Sequence, residues 1–197
     1  ECACVSVHGG NRLGANSLLD TLVFGRRAGE HASDMVKSKV HSGITDSAAD
    51  GDRRHILGLL EHERNEMFGR VRLDLGKTMN KHLAVFRDQQ GMELALSMIK
   101  SLKERYSAVW VQDKGRTFNT NLLFTLELGF MLDCAETIAL SALERSESRG
   151  AHNRTDIPNR DDENWLKHVL VKRDEDGPQI DFLPVVITDW EPQIRSY

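Results

Sequence analysis

Between Arg53 and Glu147, apolar side chains return at three- and four-residue steps for most of the way. That spacing belongs to helices with one buried face, not to strands, whose period is two. "RRHILGLLEHERNEM" places Ile56, Leu59, Leu60 and Met67 roughly on one side. "VRLDLGKTMNKHLAVF" adds Val71, Leu75, Met79, Leu83 and Phe86, and "MELALSMIKSLKERY" adds Met92, Leu96, Ile99, Leu102 and Tyr106. After a short extended break at "VWVQDKG", the strongest helix is predicted from about Asn119 to Glu147. Its apolar stripe reads Leu122, Leu126, Phe130, Met131, Ala135, Ile138 and Leu143. Three or four amphipathic helices in a row predict an up-down bundle, so the fold class is mainly α.

The two ends differ from this middle. Residues 2 to 7, "CACVSV", alternate like a short strand entering a glycine turn. From Asn16 to about Lys37 the pattern is helical, with Asn16 or Ser17 the natural N-cap. Gly25 and Gly29 cost that helix propensity, roughly 1 kcal/mol each. They suggest a face packed closely against a neighbour outside the chain. "SGITDSAADGD", residues 42 to 52, reads as a linker. The end reads as two strands, Val169–Val171 and Ile180–Ile187, joined at Asp176-Gly177-Pro178, with Pro184 demoting the second to an edge or a broken strand. The chain opens at Glu1 with a strand already under way, and a piece of a longer polypeptide is the expectation.

Bulk properties narrow the function classes. A net charge of −4 with scattered basic residues gives no reason to expect nucleic acid. Cys2, Cys4 and Cys134 are too few and too odd for a disulfide framework and fit a reducing compartment. Cys2-x-Cys4 is too short for a zinc site and reads as two small buried side chains. His55, His62 and Glu66 fall at i, i+7 and i+11 without a further ligand, so no metal centre is expected. No apolar run has the length of a membrane span.

Chemistry concentrates in "HGGNRLGANSLL", residues 8 to 19. Arg12 stays protonated and offers a planar fork that matches a carboxylate. Glycines around it let backbone approach a ligand, and the helix that follows presents free N–H groups and a positive dipole end. An anion site is one reading; an arginine paired with local Asp20 is the other. Glu1 is either a group that holds a ribose hydroxyl or a terminal surface acid. The run Arg145, Glu147, Arg149, His152, Arg154, Asp156, Arg160, Asp161, Asp162 reads as an ion-pair network pinning the chain that leaves the long helix, or as the lining of a cleft or an interface. There is no Ser-His-Asp set, P-loop or dinucleotide fingerprint.

The whole chain resembles the C-terminal part of the flavoprotein subunit of succinate dehydrogenases and fumarate reductases. "HGGNRLGANSLLDTLVFGRRAGE", "ERSESRGAHNRTDIPNRDDENWLKH" and the tail "EPQIRSY" carry the likeness, in the expected order. The resemblance implies three parts: residues 1–45 as a strand-turn-helix remnant of an FAD-binding domain, 46–148 as the helical bundle, and 149–197 as a small α+β tail. It implies that Arg12 grips a carboxylate of succinate or fumarate. Glu1 would hydrogen-bond the ribose of FAD, and Ser17 and Leu18 would meet the flavin through their N–H groups, with Asn11 and Asn16 bracing the turn. No residue of this stretch is assigned to catalysis itself. The implied reaction removes two hydrogens from succinate. Electrons pass through FAD to an iron-sulfur subunit and on to a quinone, with anchor subunits holding the complex at the cytoplasmic face of a bacterial inner membrane.

In the family layout the FAD-phosphate loop, the histidine that attaches FAD and the proton-shuttling arginine precede Glu1. The chain alone is therefore expected neither to hold FAD stably nor to turn over. "FNTNLL" and the opening segment look like aerobic, actinobacterial-type dehydrogenases, which favours oxidation. A fumarate reductase, an L-aspartate oxidase and a non-catalytic helical docking module are the alternatives.

Overall fold

A computed structural model describes residues 4–40, 43–61, 65–175 and 177–193. Its elements are α1 (Asn16–Ser38), a 3₁₀ turn (Asp46–Ala49), α2 (Asp50–Glu61), α3 (Phe68–His82), β1 (Phe86–Arg87), α4 (Gln89–Tyr106), α5 (Thr120–Glu144), β2 (Asn153–Arg154), α6 (Asp162–Trp165), β3 (Lys167–Asp174) and β4 (Gly177–Pro184). The mainly α architecture is as expected.

The core lies between α3, α4 and α5. Val71, Leu75, Met92, Ile99, Leu128 and Leu132 are fully buried there or nearly so. Burying a side chain of this kind contributes about 1.5–3 kcal/mol, and three-to-four-residue spacing is what puts them on one side of each helix. Their contacts fix the directions. Thr78 meets Met98 at 3.8 Å and Asp74 accepts from Arg105 at 2.7 Å, so α3 and α4 run antiparallel. Lys103 bonds Glu136 at 2.5 Å, and a Cβ on Gly129 would lie 2.8 Å from the Tyr106 hydroxyl, so α4 and α5 also run antiparallel. Asp88 and Asn119 cap α4 and α5 by accepting from the Gly91 and Leu122 N–H groups, each at 2.8 Å.

The expected faces of α3 and α4 are the observed ones, except that Phe86 is 68% exposed. That of α5 is rotated. The buried residues are Thr125, Leu128, Leu132, Ala135, Ala139 and Ala142, whereas Phe130, Met131 and Ile138 are exposed. Only Ala135 of the expected stripe is buried outright. Helix α5 is apolar nearly all round, so periodicity could not choose a side. Close approach of α4 did, because it selects small side chains over large ones.

Several local expectations are corrected. Over residues 4–7 there is no strand: Cys4 and Ser6 have φ of 48° and 66°, left-handed values that no strand continues. Cys4 is exposed rather than buried; Cys2 lies outside the described residues. Helix α1 runs almost as expected, but its N-cap is Ala15, at φ 66°, with no side-chain cap bond. The 42–52 stretch is not all linker, since Asp50 and Asp52 start α2 at its electropositive end. Glu66 lies beyond the end of α2 and bonds Arg105 at 2.9 Å, so it shares no helix face with His55; His62 is outside the described residues. Apart from chain neighbours and the helix's own backbone, no described atom lies within 4 Å of a Cβ placed on Gly25 or Gly29, and no residue of α1 is fully buried.

The C-terminal segment folds back onto the bundle. Strand β2 pairs in parallel with β1, the Thr155 N–H donates to Arg87 at 2.8 Å, and Asp156 accepts the Gln89 N–H at 3.0 Å at the start of α4. Strands β3 and β4 form an antiparallel hairpin, register Lys167↔Pro184 to Asp174↔Gly177. Pro184, which has no N–H to give, ends the second strand.

Candidate functional site

The turn over residues 8–14 is held from its first half. His8 donates from Nε2 to Asp20 on α1 at 2.6 Å, and this bond holds the Asp20 carboxyl below its ordinary range. Asp20, the local partner considered for Arg12, is thus engaged by His8. The other ring nitrogen of His8, Nδ1, is buried without a hydrogen-bond partner among the described residues. Ser6 Oγ lies 2.7 Å from Nε2 of His168 on β3. Gly9 takes φ 61°, which lets the chain reverse. Arg12 stands exposed two residues beyond Gly10 and reaches the Leu13 carbonyl at 3.3 Å.

The arginine-rich run following α5 is a buried cluster around Glu147, which is 0% exposed. Its carboxylate accepts from Arg145 at 2.6 Å, from Arg149 at 2.6 and 2.9 Å, and from the Asp161 N–H at 2.8 Å. Burial alone would push this carboxyl up; the bonds from Arg149, the Asp161 amide and Arg145 outweigh it and hold the group below the ordinary glutamate range. Arg149 also donates to Asp162 at 2.6 Å, and the buried Arg154 makes a two-point bond to Asp156 at 2.7 Å. The network expected from the charge pattern is present.

His152 sits inside the cluster. Arg87 Nη1, which can only donate, lies 2.9 Å from His152 Nδ1, so Nδ1 accepts and Nε2–H faces the Arg145 carbonyl at 3.2 Å. Burial pushes its pKa down; the Arg145 carbonyl bond opposes this, and the charges of Arg87, Arg154 and Arg145 reinforce it. A histidine whose pKa is lowered by folding supports the fold fully above its unfolded value, 6.5, and loses that support as pH falls through the folded value. Stability should therefore decline below about pH 6.5, before carboxylates with ordinary values near 4 begin to titrate. In His152→Asn, whose side-chain oxygen replaces Nδ1 as acceptor, urea midpoints at about pH 7.5 and pH 5.5 should converge. An undiminished gap between them would assign the decline to other groups.

These two regions, far apart in sequence, meet backbone to backbone. The Ala151 N–H donates to the Gly10 carbonyl at 3.0 Å. A Cβ on Gly150, whose φ is +59°, would lie 2.3 Å from the carbonyl carbon and oxygen of Gly10. Beside the contact opens a cleft of about 860 Å³ bordered by Gly9, Gly10, Arg149, Gly150, Trp165 and His168. Lys167 lies 4.6 Å from the ring centre of Trp165 and 4.1 Å from that of Phe182, closing the hairpin onto α6.

Of the sequence-derived site residues, Arg12 lies on the turn before α1, and Ser17 and Leu18 lie in the first turn of that helix. Ser17 is half-buried and Leu18 is 69% exposed. The Leu18 N–H already donates to Ala15 at 3.1 Å, as part of the helix start. Glu1 lies outside the described residues. The pairing of His8 with Asp20, the Gly150 contact and the His168 clasp were not anticipated. The only sequence signal for Gly150 is a glycine between Arg149 and Ala151 in a segment otherwise dense with charge.

Known proteins share this fold. Residues 72–197 match a family model described as "Fumarate reductase flavoprotein C-term". The chain is 43% identical over 202 residues to the fumarate reductase flavoprotein subunit of Haemophilus influenzae, covering all of this chain and 33% of that one. It is 39% identical over 198 residues to the succinate dehydrogenase flavoprotein subunit of Rickettsia conorii, again over the whole chain and 33% of the relative. Among solved structures, a variant of E. coli quinol fumarate reductase superposes with a TM-score of 0.92 at 37% identity, over 98% of this chain and 34% of the other. The Mycobacterium smegmatis Sdh1 complex in its apo form gives 0.82 at 33% identity, over 93% and 32%. The chain spans about a third of the length of these relatives. Its sequence and its fold together make it a member of the fumarate reductase and succinate dehydrogenase flavoprotein family, matching that family's C-terminal region.

Proposed function

We propose that this chain furnishes the carboxylate-gripping arginine, Arg12, and one wall of an FAD site in an enzyme that interconverts succinate and fumarate. The observation that carries the proposal is an exposed guanidinium on a turn whose preceding residues are clasped on three sides. Such a fork can take both oxygens of a carboxylate, and a substrate held at one end keeps its neighbouring carbons in one orientation. The same residues serve oxidation and reduction, because the carboxylate is common to both dicarboxylates. The likeness extends to relatives named for either direction and selects neither.

The residues present fit one side of a flavin. The buried Nδ1 of His8 has no partner among the described residues, and the start of α1 stands open with Leu18 and Leu22 exposed. In this reading FAD supplies the hydride-accepting chemistry. Glu1 holds its ribose, and Ser17 and Leu18 line it at the helix entrance. Since the Leu18 N–H serves Ala15, Ser17 is the better donor and Leu18 contributes apolar contact. Residues 1–45 would belong to the flavin-binding domain, 46–148 to the bundle and 149–197 to the tail. The electron acceptors are an iron-sulfur subunit and, through anchor subunits, a membrane quinone. No helix among the described residues is long and apolar enough to cross a membrane, so attachment at the cytoplasmic face of a bacterial inner membrane would come from those partners.

The test is a succinate–dye reductase assay on the longer subunit with its iron-sulfur partner, run in both directions. Absence of activity with succinate and with fumarate would refute the proposal. The isolated chain carries one wall and no phosphate loop, so titrating it with FAD should give neither a stoichiometric yellow complex nor turnover. Tight one-to-one binding would show that the chain holds more of the flavin site than is assigned to it.

A further inference from the structure

We infer that the segment from Arg145 to His168 is the abutment that sets where Arg12 stands, and that Gly150 is its point of contact. This rests on the reading of Arg12 as the dicarboxylate grip. Helix α1 has no fully buried residue, so apolar packing against α1 does little to place the turn. What places it are three clasps. His8 is tied to Asp20, Ser6 to His168 and Gly10 to Ala151, at 2.6, 2.7 and 3.0 Å. Two of the three belong to the C-terminal segment.

That segment is stiff where it is touched. Arg149, whose Cγ lies 3.0 Å from a Cβ built on Gly10, is fixed by Glu147 and by Asp162. Glu147 is in turn fixed by Arg145, the residue that caps the C-terminal end of α5. The Gly10 backbone therefore rests, through Arg149, Glu147 and Arg145, on the bundle. A two-point grip on a carboxylate tolerates displacements of only about 0.5 Å. Any side chain at position 150 would have to move Gly10 by about 1 Å, since ordinary contact begins near 3.4 Å and the gap is 2.3 Å. A misplacement of about that size can cost a reaction up to ~10²-fold. Gly150 and Glu147 are thus positioning residues, acting on substrate through the turn.

The experiment uses the full-length flavoprotein subunit assembled with its iron-sulfur partner and carrying Gly150→Ala. The probe is malonate, a dicarboxylate with no pair of adjacent carbons to dehydrogenate, followed by its perturbation of the flavin spectrum. FAD content should be retained, malonate should bind about tenfold more weakly, and kcat/KM for succinate should fall in parallel. A purely structural role would lower yield and Tm while leaving malonate affinity of the flavin-loaded protein unchanged, and that result overturns the inference. Should Gly150→Ala fail to fold, His168→Ala opens only the exposed Ser6 clasp. About threefold weaker malonate binding then supports the abutment, and unaltered binding overturns it. Arg12→Lys in the same titration separates the two ideas. If it binds malonate normally, the grip itself is wrong; if it binds poorly while the Gly150 and His168 variants bind normally, only the abutment is wrong.

Discussion

Arg12→Lys in the full-length subunit should lower kcat/KM for succinate by on the order of 10²-fold, a loss typical of removing one well-placed donor from a reacting site. Charge is conserved in this exchange, so any loss measures geometry. Lysine offers a compact ammonium on a flexible stem, whereas arginine offers two parallel N–H bonds in a rigid plane. One carboxylate oxygen then goes without its partner, and the substrate rocks about the remaining contact. Arg12 is exposed at the turn and contributes nothing to the core, so the unfolding free energy should stay within about 0.5 kcal/mol of the parent. Succinate–dye kinetics alongside thermal denaturation would read both. Near-parental kcat/KM would remove Arg12 from the substrate site.

The largest effect on stability should come from Glu147→Ala, a loss of about 3 kcal/mol. Removing this carboxylate leaves the Arg145 and Arg149 guanidiniums, each less than a fifth exposed, facing a gap, and it orphans the Asp161 N–H. Arg149 keeps Asp162, and Arg145 keeps the carbonyls of Trp165 and Lys167, which places the loss at the lower end of the range for broken buried pairs. The contrast is Glu30→Ala on α1. It breaks an ion pair of nearly the same length, 2.8 Å to Arg26, but with both partners more than half exposed. Water replaces that bond, so the expected change is within about 0.5 kcal/mol. Urea denaturation of the two variants compares them directly. Equal losses would mean that burial does not set the value of these pairs. Because folding holds the Glu147 carboxyl below its ordinary 4.5, its support is complete above that pH and is lost as pH falls through the folded value. Glu147→Ala should therefore also flatten the acid limb of the stability curve.

The helices and their order were legible in the sequence because helix periodicity is a local property. Val71, Leu75, Met92, Ile99 and Leu102 each announce their face within a turn or two. The same holds for the hairpin, whose second strand ends at Pro184 for want of an N–H, although Gly177 and Pro178 belong to that strand rather than to its corner. The ion pairs of the 145–162 run could be expected from alternating charge over a short span. For α5 the local signal was silent about direction, since nearly every side of it is apolar. Only the approach of α4 decided that Ala135, Ala139 and Ala142 face inward and Phe130 outward.

Arg12 itself could be singled out from residue type, neighbouring glycines and the helix that follows. Its setting could not, because most of it depends on groups 140 residues or more away. No local rule says that Gly10 will rest on Gly150, that Ser6 will find His168, or that Asp20 will be taken by His8. Pattern and chemistry along the chain determined which segments are helical and singled out Arg12 as the cation proposed to hold an acid. Three-dimensional packing alone decided which face of α5 is core and what the turn leans on, because both are set by atoms that approach only after the chain has folded.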